Sequence, residues 1–79
     1  MKFKVEGLGA PFWVEASEQA AAADTVQAIL TAGADERVWV EYDNESAAVD
    51  GMHPYYAATR HGRRVAERFT IGRDTEAER

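Results

Sequence analysis

The chain has 79 residues, no cysteine and a formal net charge of −5. A chain of this length forms one domain and buries about 60% of its unfolded surface. The lack of cysteine excludes both a disulfide framework and a thiolate metal site. No apolar run approaches the roughly 20 residues of a transmembrane helix, and the alternating N-terminus is not typical of a signal peptide. We therefore expect a cytoplasmic protein without membrane contacts.

The charge is distributed unevenly along the chain. Residues 1–52 hold three basic and ten acidic side chains, whereas residues 53–73 hold five arginines and one acidic side chain. A segregated basic segment can serve an anionic partner, but the same arginines can also balance the acidic remainder of a small sheet. The excess of arginine over lysine and the abundance of alanine suggest a bacterial or phage protein from a GC-rich genome.

The first two predicted elements are strands joined by a glycine-containing turn. Residues 2–6 and 12–16 each alternate between apolar and polar side chains, which is typical of half-buried strands. An apolar inner face requires that Phe3 lies opposite Val14, because a slip of one residue would bury Glu15.

One long helix is predicted over residues 17–33. Ser17 is a favourable N-cap, the alanines that follow have the highest helix propensity, and Gly33 suits a left-handed position after the helix. One apolar stripe is predicted to be buried: Ala22, Val26, Ile29, Leu30 and Gly33. The opposite side is predicted to be exposed: Ala20, Asp24, Gln27, Ala28 and Thr31. Its small side chains would let another helix approach closely. Alternatively, the alanines are present only because alanine favours helix formation.

Further strands are predicted after the helix. Residues 37–42 alternate, with Val38, Val40 and Tyr42 on one face. Residues 55–60 and 63–71 form a predicted hairpin, because Gly62 can adopt the positive φ of a tight turn. Uniform alternation predicts the core side of this hairpin as Tyr56, Ala58, Val65, Glu67, Phe69 and Ile71. It predicts the other side as Tyr55, Ala57, Thr59, Arg64, Ala66 and Arg68. Residues 47–49 can form a short edge strand or one helical turn.

Together these elements predict an α+β domain over residues 1–73. It has two layers, with one helix packed on a mostly antiparallel sheet in the order ββαβ(β)β. This order resembles that of the ubiquitin-like β-grasp, and a meander with another strand order fits the same pattern. Residues 74–79 are polar and are predicted to form a flexible tail.

The sheet face that the helix leaves uncovered is the predicted functional surface. Its protein-interaction candidates are Trp13, Trp39, Tyr55, Arg64 and Arg68. Tryptophan, tyrosine and arginine are enriched in interface cores and hot spots. We expect a non-enzymatic module that binds a protein partner or itself, as a homodimer, through this face. The alternative is that these side chains merely shield the sheet.

Nucleic-acid binding by the basic hairpin is the second hypothesis. Aromatic rings and arginines on an open sheet can stack bases and bind phosphates. The candidate residues are Tyr55, Arg60, Arg63, Arg64, Arg68 and Arg73. No RRM-type aromatic motif is present, and the acidic chain opposes polyanion binding.

No enzyme, metal or cofactor is expected. Asp50 and His53 could begin a metal or acid–base cluster, but the spacing supplies neither a third ligand nor a nucleophile. Gly7 and Gly9 resemble the start of a phosphate loop, but no Gly-Lys-Ser/Thr sequence follows them.

Overall fold

The computed structural model describes residues 1–43 and 55–77. One helix packs on a five-stranded antiparallel sheet, which confirms the predicted α+β fold with the order ββαβββ. The elements are β1 (Lys2–Glu6), β2 (Phe12–Glu15), α1 (Gln19–Ala32), β3 (Trp39–Tyr42), β4 (Tyr55–Arg60) and β5 (Arg63–Arg73). The predictions for residues 47–49, and for Asp50 and His53, lie outside the described residues.

The strand order in the sheet is β2-β1-β5-β4-β3, and every neighbouring pair is antiparallel. The last three strands form a meander, and β5 returns to the centre of the sheet beside β1. The predicted register of the first hairpin is confirmed, since Phe3 lies opposite Val14. The chain passes through α1 from one edge of the sheet to the other, so the helix covers one face.

The hydrophobic core lies between α1 and this inner face of the sheet. Its buried members are Phe3, Val5, Val14, Ala22, Val26, Val38, Tyr56, Ala58, Phe69 and Ile71. The ring of Tyr56 stacks between those of Tyr42 and Phe69, at centroid distances of 4.9 and 6.0 Å. These ring contacts connect β3, β4 and β5. No helix among the described residues is long and apolar enough to cross a membrane.

The start of α1 is fixed by the sheet rather than by a cap. The helix begins at Gln19, so the predicted N-cap at Ser17 is wrong, and the residue before the helix makes no side-chain capping bond. The side-chain amide of Gln19 instead donates to the Tyr56 hydroxyl at 2.9 Å and to the Ile71 carbonyl. These tertiary hydrogen bonds attach the first residue of the helix to β4 and β5.

The end of α1 also differs from the prediction. Gly33 has a φ of −99°, so it does not adopt the predicted left-handed conformation. The chain leaves the helix in a tight turn, in which the Ala34 N–H donates to the Thr31 carbonyl at 3.0 Å.

Two polar residues of α1 seal the β3 edge of the sheet. The N–H of Val40 donates to Gln27 Oε1 at 2.8 Å, and the N–H of Val38 donates to Thr31 Oγ1 at 3.1 Å. An edge strand presents backbone groups that lack a neighbouring strand. The prediction that Gln27 and Thr31 lie on an unoccupied side of the helix is therefore wrong.

Two β-bulges interrupt the alternation of β5. The register with β4 passes over Val65 and over Arg68, and Arg68 has a positive φ of 60°. Each bulge adds one residue and changes which face the following side chains occupy. Val65 and Glu67 were predicted for the core side but are exposed, and Ala66 packs against the core instead of facing outward.

The turn between β4 and β5 is as predicted. His61 and Gly62 have φ values of 55° and 71°, the positive values that a type I′ hairpin turn requires. Arg60 and Arg63 lie directly opposite each other beside this turn.

Candidate functional site

The sheet face turned away from α1 is called the outer face below. Directly opposed residues of antiparallel strands share a face, so the registers assign its members. They are Lys2, Lys4, Glu6, Trp13, Glu15, Trp39, Glu41, Tyr55, Ala57, Thr59, Arg64, Glu67 and Thr70. Asp43 and Arg68 join this face through their contacts with Arg64 and with the Tyr55 ring. All five predicted protein-interaction candidates belong to this face.

Each aromatic ring of the outer face lies beside a cation. The distances from charged group to ring centroid are 5.6 Å for Lys4–Trp13, 4.2 Å for Arg37–Trp39 and 5.3 Å for Arg68–Tyr55. An exposed cation–π contact contributes about 0.5–1 kcal/mol. The three contacts hold apolar rings and positive charges together as amphipathic units.

Trp13 is fixed at the β2 edge by the C-terminal segment. Its indole N–H donates to Asp74 Oδ2 at 2.9 Å, and the Asp74 N–H donates to the Lys2 carbonyl at 2.9 Å. The indole bond, followed by the Ala77 N–H, holds the pKa of Asp74 below its usual value. Asp74, which the sequence assigned to the tail, thus helps to build the outer face.

Trp39 lies at the opposite edge, four strand spacings or roughly 19 Å from Trp13. It is 52% exposed, compared with 46% for Trp13. Its indole N–H has no acceptor within the part of the chain that the structure describes, and its ring contact is with Arg37. A protein partner could therefore cover this ring and bind its N–H.

Arg64 has a different role from the other predicted candidates. Its guanidinium donates to both carboxylate oxygens of Asp43, at 3.1 and 3.3 Å, and to Glu67 at 3.0 Å. Asp43 is fully buried. A buried carboxylate without a counter-ion is costly, so we assign Arg64 to the stability of the fold. Sequence reasoning did not find Asp43, because no local pattern connects it to Arg64.

The predicted nucleic-acid residues are divided between the two sides of the sheet. Tyr55, Arg64 and Arg68 lie on the outer face. Arg73 is opposite Phe3, whose side chain is in the core. Arg60 lies on the side of α1, and Arg63 is its cross-strand partner. The fold does not bring these six residues together on one surface.

A groove on the inner side was not predicted. It has a volume of about 670 Å³ and lies between the second half of α1, the β1–β2 turn and the hairpin end of β4 and β5. Ile29 and Val65 line it and are 48% and 51% exposed, so the prediction that Ile29 is buried is wrong. The apolar side of α1 extends beyond the part of the sheet that the helix covers.

The glycines that resemble a phosphate loop serve the turn between β1 and β2. Gly7 and Gly9 have φ values of 106° and 91°. A Cβ atom at Gly7 would lie 2.9 Å from the Phe69 Cα atom. Glycine is needed here for backbone packing and for positive φ, and strand β2 follows the turn.

No cluster of three or more metal-ligating side chains occurs within residues 1–43 and 55–77. His61 Nδ1 lies 3.1 Å from Glu36 Oε2 on an exposed part of the molecule, where it connects the hairpin turn to the α1–β3 loop. No protein-family model matches the chain, and no curated protein or solved structure shows significant similarity to it.

Proposed function

We propose that the protein is a non-enzymatic interaction module that binds a protein partner or a second copy of itself through its outer face. The observation that carries this proposal is the set of three cation–π pairs distributed from one sheet edge to the other. Partly exposed tryptophan, tyrosine and arginine are the residue types that dominate interface energetics.

Restraint of the side chains supports the same function. Trp13 is held by Asp74 and Lys4, and Arg68 is held over the Tyr55 ring by its bulge. Side chains already in one conformation lose less entropy when a partner binds. A preorganised surface of this kind favours specific recognition over mere shielding of the sheet.

The charges of the outer face favour protein over nucleic acid. The positive charges of its lysines and Arg68 are interspersed with the negative charges of Glu6, Glu15 and Glu41. The charge of Arg64 is neutralised by two carboxylates. A polyanion prefers a continuous basic surface, and its affinity depends on the number of phosphates neutralised. Titration with single- and double-stranded probes at low salt tests this directly, and tight binding to either would contradict the proposal.

Paired affinity capture from the native host tests the function itself. The baits are the unchanged chain, Trp39→Ala, Arg68→Asn and Tyr42→Ala. Asparagine tolerates the positive φ at position 68 and removes the cation. Tyr42 is the matched control, since it is 55% exposed on the same strand as Trp39 but on the inner side.

We expect Trp39→Ala and Arg68→Asn to lose a partner that the unchanged chain and Tyr42→Ala retain. Circular dichroism and thermal melting establish that each bait is folded, and sedimentation establishes whether the partner is a second copy. Retention of every captured protein by both outer-face variants would overturn the proposal.

A further inference from the structure

The groove on the inner side combines exposed apolar side chains with apolar side chains that are at least partly buried. Leu30, Val38 and Ala58 form part of its lining and are at least partly buried, whereas Ile29 and Val65 are about half exposed. Val65 is exposed at a bulge of β5, where the register with β4 passes over it. A bulge that re-aims an apolar side chain toward solvent is typical of a functional feature.

The charged end of this groove has no counter-ion within residues 1–43 and 55–77. Arg60 lines the groove and lies directly opposite Arg63. Like charges in this position are mutually destabilising, and neither arginine has a carboxylate within 4.0 Å among the ion pairs of the described residues. Glu67 belongs to the outer face but also borders the groove, and its carboxylate is bound to Arg64 at 3.0 Å.

We propose that this groove is a second binding site, which accepts an acidic amphipathic peptide segment of a partner protein. Apolar side chains of the segment cover Ile29 and Val65, and a carboxylate binds between Arg60 and Arg63. The site lies on the opposite side of the sheet from the outer face and does not depend on the function proposed for that face.

Charge complementarity and the shape of the groove identify this occupant. The two opposed arginines favour an anion near them, and the exposed apolar lining favours a hydrophobic group beside it. The groove is open to solvent, whereas small-molecule sites enclose most of the ligand surface. An amphipathic peptide fits an open groove because its polar side stays in water.

Selection of random peptides displayed on phage tests this inference with the full chain. Enriched peptides are synthesised with a fluorescent label, and their affinities are measured by anisotropy. We expect these peptides to combine two or more apolar residues with an acidic one. We expect Arg60→Glu and Ile29→Gln each to weaken binding about tenfold, the loss of one well-placed anchor, and Trp39→Ala to leave binding unchanged.

The Arg60→Glu variant separates binding from folding. It places opposite charges across the hairpin, so its melting temperature should equal or exceed that of the unchanged chain. Exchange of the acidic residue for lysine in a selected peptide should abolish binding to the unchanged chain and restore it to Arg60→Glu.

Four results would overturn the inference. These are a selection that yields no binder, binders without an acidic residue, binders that are unaffected by the two groove variants, and a dimer that Ile29→Gln dissociates. The last result would identify a second copy of the chain as the occupant. Because Trp39→Ala is the control here, failure of this site is distinguishable from failure of the outer face.

Discussion

Arg64 and Arg60 lie on the same hairpin but in opposite situations. Arg64 is on the outer face and binds a fully buried carboxylate and Glu67. Arg60 is on the inner side, beside the groove, and faces another arginine. The difference teaches that an arginine on a small sheet can form an ion pair within its own chain, or can remain accessible to a carboxylate of a partner. Position in the register distinguishes these roles, and composition does not.

The largest expected effect is the loss of stability when Arg64 is removed. Arg64→Ala leaves the buried Asp43 without its counter-ion and should cost about 3 kcal/mol, because breaking a buried pair typically costs roughly 3–5 kcal/mol and this arginine is partly exposed. Arg60→Ala should change stability by less than about 0.5 kcal/mol. Urea denaturation measures both.

A double-mutant cycle sharpens this contrast. Combining Arg64→Ala with Asp43→Asn should recover at least about 1 kcal/mol relative to the sum of the single changes, as expected for residues in direct contact. Equal losses for Arg64→Ala and Arg60→Ala, or strict additivity in the cycle, would contradict the assigned roles.

The bulge at Arg68, whose guanidinium lies over the Tyr55 ring, packs closely against the backbone of Gly7. Gly7→Ala would place a Cβ atom 2.9 Å from the Phe69 Cα and 3.1 Å from the Arg68 carbonyl, at a φ of 106°. We expect a loss of about 2 kcal/mol, which combines backbone strain with a steric clash. Gly9→Ala is the control, because φ is also positive there but no atom lies within 4 Å.

Gly9→Ala should therefore cost about 1 kcal/mol, the strain alone. Thermal unfolding of both variants separates the two contributions. A loss at Gly9 equal to that at Gly7 would mean that the bulge does not depend on this packing.

Tyr56, next to outer-face Tyr55 but on the inner side, should make the fold sensitive to alkali. Burial, with a smaller contribution from Tyr42, raises the pKa of Tyr56 to about 12. Because the folded pKa lies above the ordinary value of 10.0, this contribution is present below pH 10 and is lost as the pH rises toward 12.

Tyr56→Phe should remove this alkaline component and cost about 1 kcal/mol at neutral pH, where the hydrogen bond from Gln19 is lost. Tyr55→Phe should retain the alkaline component. Denaturation curves between pH 9 and 12 compare the two variants, and an unchanged alkaline profile in Tyr56→Phe would refute the prediction.

The smallest effect is expected at Trp13 in acid. The indole hydrogen bond lowers the pKa of Asp74, so this contribution is present above the ordinary pKa of about 3.9 and is lost as the pH falls through the folded value. In a Trp39→Phe background, Trp13 fluorescence should change over that acidic range. Asp74→Asn should abolish the titration, and persistence of the change in that variant would assign it to another group.

Much of the fold was predictable because strict alternation fixes strands and their register. The pairing of Phe3 with Val14 follows from keeping Glu15 out of the core. The bulges were not predictable in position, since they are backbone insertions. One signal was present, because uniform alternation toward Phe69 would have buried the charge of Glu67. The helix start was missed because Gln19 is held by strands more than 30 residues away.

The candidate site was predicted in part. Alternation placed Trp13, Trp39 and Tyr55 on the outer face, because that assignment needs only the neighbouring residues. The predicted register of the first hairpin already places Lys4 opposite Trp13. Uniform alternation also places Arg68 opposite Tyr55, whereas the structure pairs Tyr55 with Thr70. The other contacts of these rings were not predictable. Asp74 reaches Trp13 from 61 residues along the chain, and Arg68 reaches Tyr55 through a bulge. The groove was not predictable either, because it depends on how much of the sheet α1 covers, and tertiary packing determines that area.

Photo-crosslinking at two positions of β3 tests the central claim most directly. A photoreactive phenylalanine analogue replaces either Trp39 on the outer face or Tyr42 on the inner side, which are 52% and 55% exposed. Each protein is irradiated in the native host, and the adducts are identified by mass spectrometry. We expect one specific protein adduct, with a partner or a second copy, at position 39 and none at position 42. Equal labelling at both positions, or adducts at position 42 alone, would contradict it.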